Sequence, residues 1–247
     1  MNLRPRVQAP RERRPPVLFV AFVLLSIATA ARADDDRATA THRFDDVAYW
    51  SKIFDDPKRD AWQKPAALVA ALQLPAGATV VDLGAGTGYF ERYLSQAVGA
   101  DGSVLAVEVE PRLVVWLRDR AAREQLANVT PILASFDNPR LPGGAADLIL
   151  IADTYHHIDH RRRYLPQLLR ALRPGGRIAV VDWKPGKLAE GPEPDHKLAP
   201  EKVIAELQAA GLELVAQPDI LPYHYILIFN AKTRRREGLL RDFASSR

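Results

Sequence analysis

Three groups of residues have types and spacings suited to chemistry. The first is Asp82-Leu83-Gly84-Ala85-Gly86-Thr87-Gly88. Glycines at 84, 86 and 88 allow the backbone to turn sharply and to approach a ligand closely. A helix starting just beyond them would add free N–H groups and a positive dipole end. The spacing is G-x-G-x-G, and the sixth position from Gly84 is Tyr89, so the dinucleotide pattern G-x-G-x-x-G fails. Asp82 would repel a pyrophosphate but suits a cationic ligand. The second group is Glu108, 20 residues past Gly88 at the end of an apolar run. A carboxylate there is able to accept both hydroxyls of a ribose. The third is Asp153, Tyr155, His156 and His157, which follow the apolar run Asp147–Ala152. Histidine is the side chain most easily poised near neutral pH, so His156 and His157, with Asp153, are the candidate catalytic groups. A histidine pair also suggests a metal. Adjacent residues tend to point apart, however, and no acid–histidine spacing typical of zinc surrounds them, so no metal site is expected.

The elements that must position these groups alternate. Short β-branched or apolar runs at Thr79–Leu83, Ser103–Val109, Val129–Leu133, Asp147–Ala152 and Arg177–Asp182 read as strands. Between them, Tyr89–Val98, Pro111–Gln125 and Arg161–Leu172 have helical period, the last stopped by Pro174-Gly175-Gly176. Pro65–Leu72 and Pro200–Ala210 are further helices, and Leu212–Ala216 and Tyr225–Asn230 are the final strands. This alternation implies an α/β fold with a doubly wound, mostly parallel sheet covered by helices on both faces. Pro218–Tyr223 is too short for a crossover, so the final pair should be antiparallel.

With these elements in order, the chain resembles the class I S-adenosylmethionine-dependent methyltransferases from about Trp62 to Asn230. DLGAGTG matches that family's first motif and Glu108 its ribose-binding acid. Leu141–Ile158 is similar to its fourth-strand region, and Leu168–Trp183 to the turn and fifth strand. The resemblance implies a seven-stranded Rossmann-like sheet whose last strand is antiparallel, with S-adenosyl-L-methionine as methyl donor. It implies that Asp82, Gly84, Ala85, Gly86 and Gly88 hold the donor's methionine part, and that Glu108 holds the ribose. Ala134–Asn138, with Phe136 and Asp137, would border the adenine, and Asp153 would face the methionine end and the acceptor. One departure is Ser135, which stands where the family often has an acid, with Asp137 two residues later. A non-catalytic extracytoplasmic binding protein on the same scaffold is the alternative.

Two segments are candidate covers for the site. Phe44–Trp62 is aromatic-rich, with Tyr49, Trp50, Phe54 and Trp62. Lys184–Ala199 is polar, proline-rich and long for a connection, as lids and binding loops are. Residues 34–62 read as a partly flexible N-terminal extension, 63–231 as the methyltransferase domain and 232–247 as a basic tail.

The chain of 247 residues carries a formal charge of +4, but six arginines and one acid in residues 1–33 account for +5 of it. The remainder is near neutral, which argues for a small-molecule substrate and against nucleic acid. There are no cysteines, which excludes disulfides, thiolate metal sites and cysteine nucleophiles. Residues 1–33 join a basic, proline-rich start to the 15-residue apolar run Val17–Ala31 and a small-residue Ala31-Arg32-Ala33 site. That is the pattern of a secretory signal cut after Ala33, giving a periplasmic or secreted protein. A spanning helix wants about 20 apolar residues, so an uncleaved anchor, the one route to membrane contact, is the alternative. Nothing in the sequence sets the oligomeric state.

Overall fold

The computed structural model describes residues 36–40 and 44–231. The expected export signal and the basic tail lie outside the described residues.

Seven strands form one sheet: β1 (Thr79–Leu83), β2 (Ser103–Glu108), β3 (Val129–Leu133), β4 (Ala146–Ala152), β5 (Leu172–Trp183), β6 (Leu212–Ala216) and β7 (His224–Ala231). Their order is β3-β2-β1-β4-β5-β7-β6. The first five are mutually parallel, and β7 runs antiparallel to both β5 and β6, as the short Pro218–Tyr223 link required. β4 is buried along nearly its whole length, so it reads as a continuous apolar run and not as an alternation.

Helices cover both faces. Leu68 and Leu72 of α3 (Pro65–Ala71) and its cap, and Leu94 and Val98 of α4 (Glu91–Val98), pack against Val80, Leu148, Leu150 and Val181. α5 (Pro111–Arg123) adds Leu117 to that face. On the other face α6 (Arg161–Ala171) and α7 (Pro200–Ala209) bring Leu165, Leu168, Val203 and Leu207 against Ile149, Ile151, Ile178 and Val180. Before α3, the aromatic-rich segment forms two short helices, α1 (Val47–Phe54) and α2 (Arg59–Gln63).

One expectation needs correction. β5 begins at Leu172 and runs through Pro174-Gly175-Gly176, which the sequence reads as a turn before a strand at Arg177. The pairing jumps from Ala146↔Leu172 to Leu148↔Arg177, so the turn is carried as a bulge on a strand already joined to β4. In the lead-in, residues 36–40 form a strap against the domain. Asp36 and Ala40 are buried, and the strap's backbone bonds reach His156 and Arg161 more than 100 residues away.

Candidate functional site

The strand order reverses between β1 and β4, and the crevice at their carboxyl ends is where open α/β sheets bind ligands. The glycine loop follows β1. Gly84 and Ala85 N–H both donate to Val107 O of β2, at 2.8 and 3.1 Å, which pins the loop across the strand ends. Gly84 has φ +80°, and a Cβ there would lie 2.3 Å from Thr154 Oγ1, so no other residue fits. Gly86 has φ +57°, and a Cβ there would meet the Phe54 ring at 3.5 Å.

Glu108 ends β2 and is 6% exposed. Its Oε2 accepts Gly86 N–H at 2.9 Å, and its Oε1 accepts Val109 and Glu110 N–H at 2.7 and 3.0 Å. Burial raises its carboxyl above the usual range, with the three backbone donors pulling the other way. The loop and the acid are thus one unit: the carboxylate is oriented by the glycine whose backbone shapes the crevice.

Asp82 lies beneath the loop at 2% exposure. Burial pushes its carboxyl up to about 7, and its hydrogen-bond partner is Glu91, the first residue of α4. Burial, then the charge of Asp82, hold Glu91 well above 4.5. Neither Glu91 oxygen meets an N–H or hydroxyl donor among the described residues. Burial and their mutual repulsion both disfavour ionising the two acids together. Asp82 stood out in the sequence as an acid beside the glycine loop. Glu91 did not, because an acid in the first turn of a helix has an ordinary dipole role.

Asp153 follows β4 with φ +51°. Its Oδ2 accepts from Arg59 Nη2 at 2.9 Å and from Gln63 Nε2 at 3.4 Å, and its Oδ1 lies 2.8 Å from His224 Nε2. The His224 N–H is angled away from that oxygen, and neither ring nitrogen has an aligned partner among the described residues. Burial alone would raise the Asp153 carboxyl, but His224, Arg59 and His156 together hold it down to about 2. Arg59 also lies over the Tyr89 ring at 4.2 Å, and His224 is stacked on Trp62 and packed against Trp183. Arg59, Gln63 and His224 escaped the sequence reading, since nothing local marks a strand histidine or an arginine in an aromatic-rich segment as a site residue.

His156 and His157 lie in a single 3-10 turn, Tyr155–His157. They were expected to point apart, yet their ring centroids are 4.1 Å from each other. The cause is the turn, which separates neighbours by about 120° and not the 180° of a strand. His156 is 2% exposed, and its Nδ1 lies 2.8 and 3.0 Å from the two oxygens of Asp182 at the end of β5. Asp182 also accepts the backbone N–H of His156 at 3.2 Å and of Trp183 at 2.8 Å. Burial would lower the His156 imidazole, but the Asp182 charge and hydrogen bond outweigh it and raise it above 6.5. His157 Nδ1 is 2.9 Å from Ala40 O of the strap, and Thr39 N–H donates to His156 O at 2.9 Å.

The aromatic segment closes over this arrangement. Trp50 stacks on Phe54 at 5.2 Å, and Phe44 meets Trp50 at 4.8 Å and the edge of His157 at 5.8 Å. Asp55 Oδ1 accepts from Thr87 Oγ1 at 2.9 Å and from Arg120 Nη1 at 2.7 Å, which fastens the segment to the glycine loop and α5. Tyr49 points outward. The late loop is tied as well: Lys197 Nζ donates to Gly186 O at 2.8 Å, and Gly191 packs on the Trp183 indole.

The structure therefore brings Asp82, Gly84, Ala85, Gly86, Gly88, Glu108, Asp153 and the histidine turn to one end of the sheet. Of the two expected adenine contacts, Phe136 is 75% exposed, and Asp137 is exposed with Oδ1 accepting from Ser135 Oγ at 2.7 Å. An Asn138–Ser135 bridge folds this segment into its own small turn. Among the described residues no cluster of three metal-binding side chains occurs.

Residues 80–176 match a family model described as a methyltransferase domain. The arsenite methyltransferase of Halobacterium salinarum is 29% identical over 106 residues, 43% of this chain and 27% of that protein. The ubiquinone/menaquinone biosynthesis C-methyltransferase of Ectopseudomonas mendocina is 31% identical over 112 residues, 44% of each chain. The chain thus spans less than half the length of these curated relatives. A crystal structure of a SAM-dependent methyltransferase from Aquifex aeolicus superposes with a TM-score of 0.72 at 26% identity, covering 77% of this chain and all of that one.

Proposed function

We infer that this chain, which belongs to the class I S-adenosylmethionine-dependent methyltransferases, methylates a small-molecule acceptor by direct transfer. The observation that carries the reading is the Glu108 carboxylate at the end of β2, whose Oε2 is oriented by Gly86 N–H at 2.9 Å and keeps a second lone pair for a ribose hydroxyl. The buried Asp82–Glu91 pair fits the donor's cationic methionine end, and Asp153 supplies a second, ionised carboxylate beside it. S-adenosylmethionine supplies an already activated methyl on a sulfonium. The protein's own contribution is then to hold an acceptor in line and keep water away, which can supply several kcal/mol, up to roughly 7–11 in ideal cases. The near-neutral body and the aromatic cover of Phe44, Trp50 and Phe54 suit a small, partly apolar acceptor. Relatives named for quinone and arsenite substrates support that size class.

Calorimetric titration of S-adenosylmethionine and S-adenosylhomocysteine into the full chain tests the reading. Micromolar binding is expected, weakened about 100-fold in Glu108→Ala, the worth of one strong charge-assisted hydrogen bond. A folded protein that binds neither compound would sink the reading. The basic, apolar and small-residue pattern of residues 1–33 supports export with cleavage after Ala33. An exported product no shorter than the 27.4 kDa precursor would count against it.

A further inference from the structure

We propose that His156, oriented by Asp182, is the proton acceptor for a hydroxyl-bearing aromatic substrate, so that the reaction is O-methylation of a phenol-type group. The inference rests on the methyltransferase reading and deepens it.

The geometry is that of an oriented base. Both Asp182 oxygens lie within 3.0 Å of His156 Nδ1, which places the ring proton on that nitrogen. The carboxylate cannot turn away, because the His156 and Trp183 backbone N–H groups hold it from two sides. Nε2 is then the lone-pair nitrogen, and it has no hydrogen-bond partner among the described residues. The charged groups that act on the imidazole are Asp182 from β5, Asp153 from the end of β4 and Arg161 from α6. Asp153 follows β4 and His156 lies three residues after it, so both sit at the carboxyl ends of the strands.

The substrate class follows from what lies beside the base. Phe54 covers Gly86 of the glycine loop, Trp50 stacks on Phe54, and Phe44 joins them to the His157 edge. This aromatic strip runs from the donor loop to the histidine turn. A flat apolar body along it would present its hydroxyl to His156. A neutral phenol is a poor nucleophile, so proton removal matters. As the phenol oxygen bonds the methyl carbon, the methyl–sulfur bond breaks with its electron pair to sulfur. The hydroxyl proton passes to Nε2 and then to solvent.

The first test needs no turnover. The full chain, labelled with 15N-histidine and saturated with S-adenosylhomocysteine, is titrated from pH 5 to 9, and the His156 signal is identified by its loss in His156→Asn. The expected result is a neutral form protonated at Nδ1 that titrates above 6.5. A neutral form protonated at Nε2, or a ring that does not titrate, would overturn the proposal. The second test compares phenol with 4-nitrophenol as acceptors. For phenol, kcat/KM should rise with pH along the His156 titration and fall about 10²–10⁴-fold in His156→Asn, whose amide retains a donor for Asp182. For 4-nitrophenol, already largely ionised, the loss should be far smaller. Equal losses for both acceptors would mark a structural role. No transfer to either by a donor-binding protein would overturn the acceptor class, whereas absence of donor binding would overturn the methyltransferase reading itself. Asp182→Asn separates the positioning role. It should move the ascending limb to lower pH while lowering the plateau.

Discussion

Two histidine–aspartate pairs occupy the same end of the sheet, and they are built in opposite ways. Asp182 shares a face with Ile178 and Val180, and His224 shares the other with Ile226 and Ile228. Each pair has a nitrogen–oxygen distance of 2.8 Å. In His156–Asp182 both carboxylate oxygens face one ring nitrogen, and two backbone N–H groups lock the carboxylate. In His224–Asp153 the ring N–H misses the oxygen, and Asp153 is shared with Arg59 and Gln63. The first arrangement orients a proton. The second spreads one carboxylate's charge over three neighbours. Distance alone does not separate them; the partners of each carboxylate do.

The pairs should also fail at opposite ends of the pH scale. His156 is raised above 6.5, so its contribution to stability is complete below 6.5 and is lost as pH rises through the higher folded value. Asp153 is lowered to about 2, so its contribution is present above 3.8 and is lost as pH falls toward 2. Asp182→Asn is the larger perturbation. It breaks a fully buried pair and places amide hydrogens against two N–H groups, so unfolding should become easier by about 3 kcal/mol. The slope of stability on the alkaline side should disappear with it. Asp153→Asn should cost about 2 kcal/mol at neutral pH, and this cost should vanish near pH 2. Asparagine tolerates the left-handed backbone at 153, so the change reports charge and not strain. Denaturant melts of both variants across pH 2–10 provide the check. Identical pH profiles would erase the distinction between the pairs.

This contrast marks where the sequence could and could not be read. The strand alternation, the antiparallel end and the clustering of the glycine loop with Glu108 were legible because each depends on local signals. Glycine spacing, an acid at a strand's end and apolar runs stay within a few residues of what they determine. His224, Arg59 and Glu91 were not legible. Their roles come from neighbours such as Asp153, 71 and 94 residues away from His224 and Arg59 respectively, which only the folded sheet brings together. The histidine pair shows the intermediate case. Its position at a strand's carboxyl end was evident, but the ring directions depend on a 3-10 turn and on Asp182. Phe136 is a further case: resemblance supplied its role, and the local Ser135–Asn138 turn that sets its exposed position was not legible.

The strap at residues 36–40 gives the smallest perturbation and the most selective one. α6 begins at Arg161 after His160, whose left-handed backbone makes no side-chain cap. Asp36 supplies the cap from a distance: its backbone oxygen accepts Arg161 N–H at 3.1 Å and its Oδ2 accepts Arg162 N–H at 3.2 Å. Asp36→Ala removes only the side-chain half, so it should cost about 1 kcal/mol, roughly 2–4 °C in Tm. The same strap holds His156 through Thr39 and His157 through Ala40, whereas the hydrogen bonds of Asp153 go to Arg59 and Gln63. Loosening it should therefore broaden or shift the His156 resonance and leave the acid-side melting of the Asp153 cluster unchanged. If both respond alike, the two pairs form one cooperative unit and the contrast between them collapses. If only His156 responds, the strap is part of the acceptor side, and its backbone bonds help fix the direction of the base.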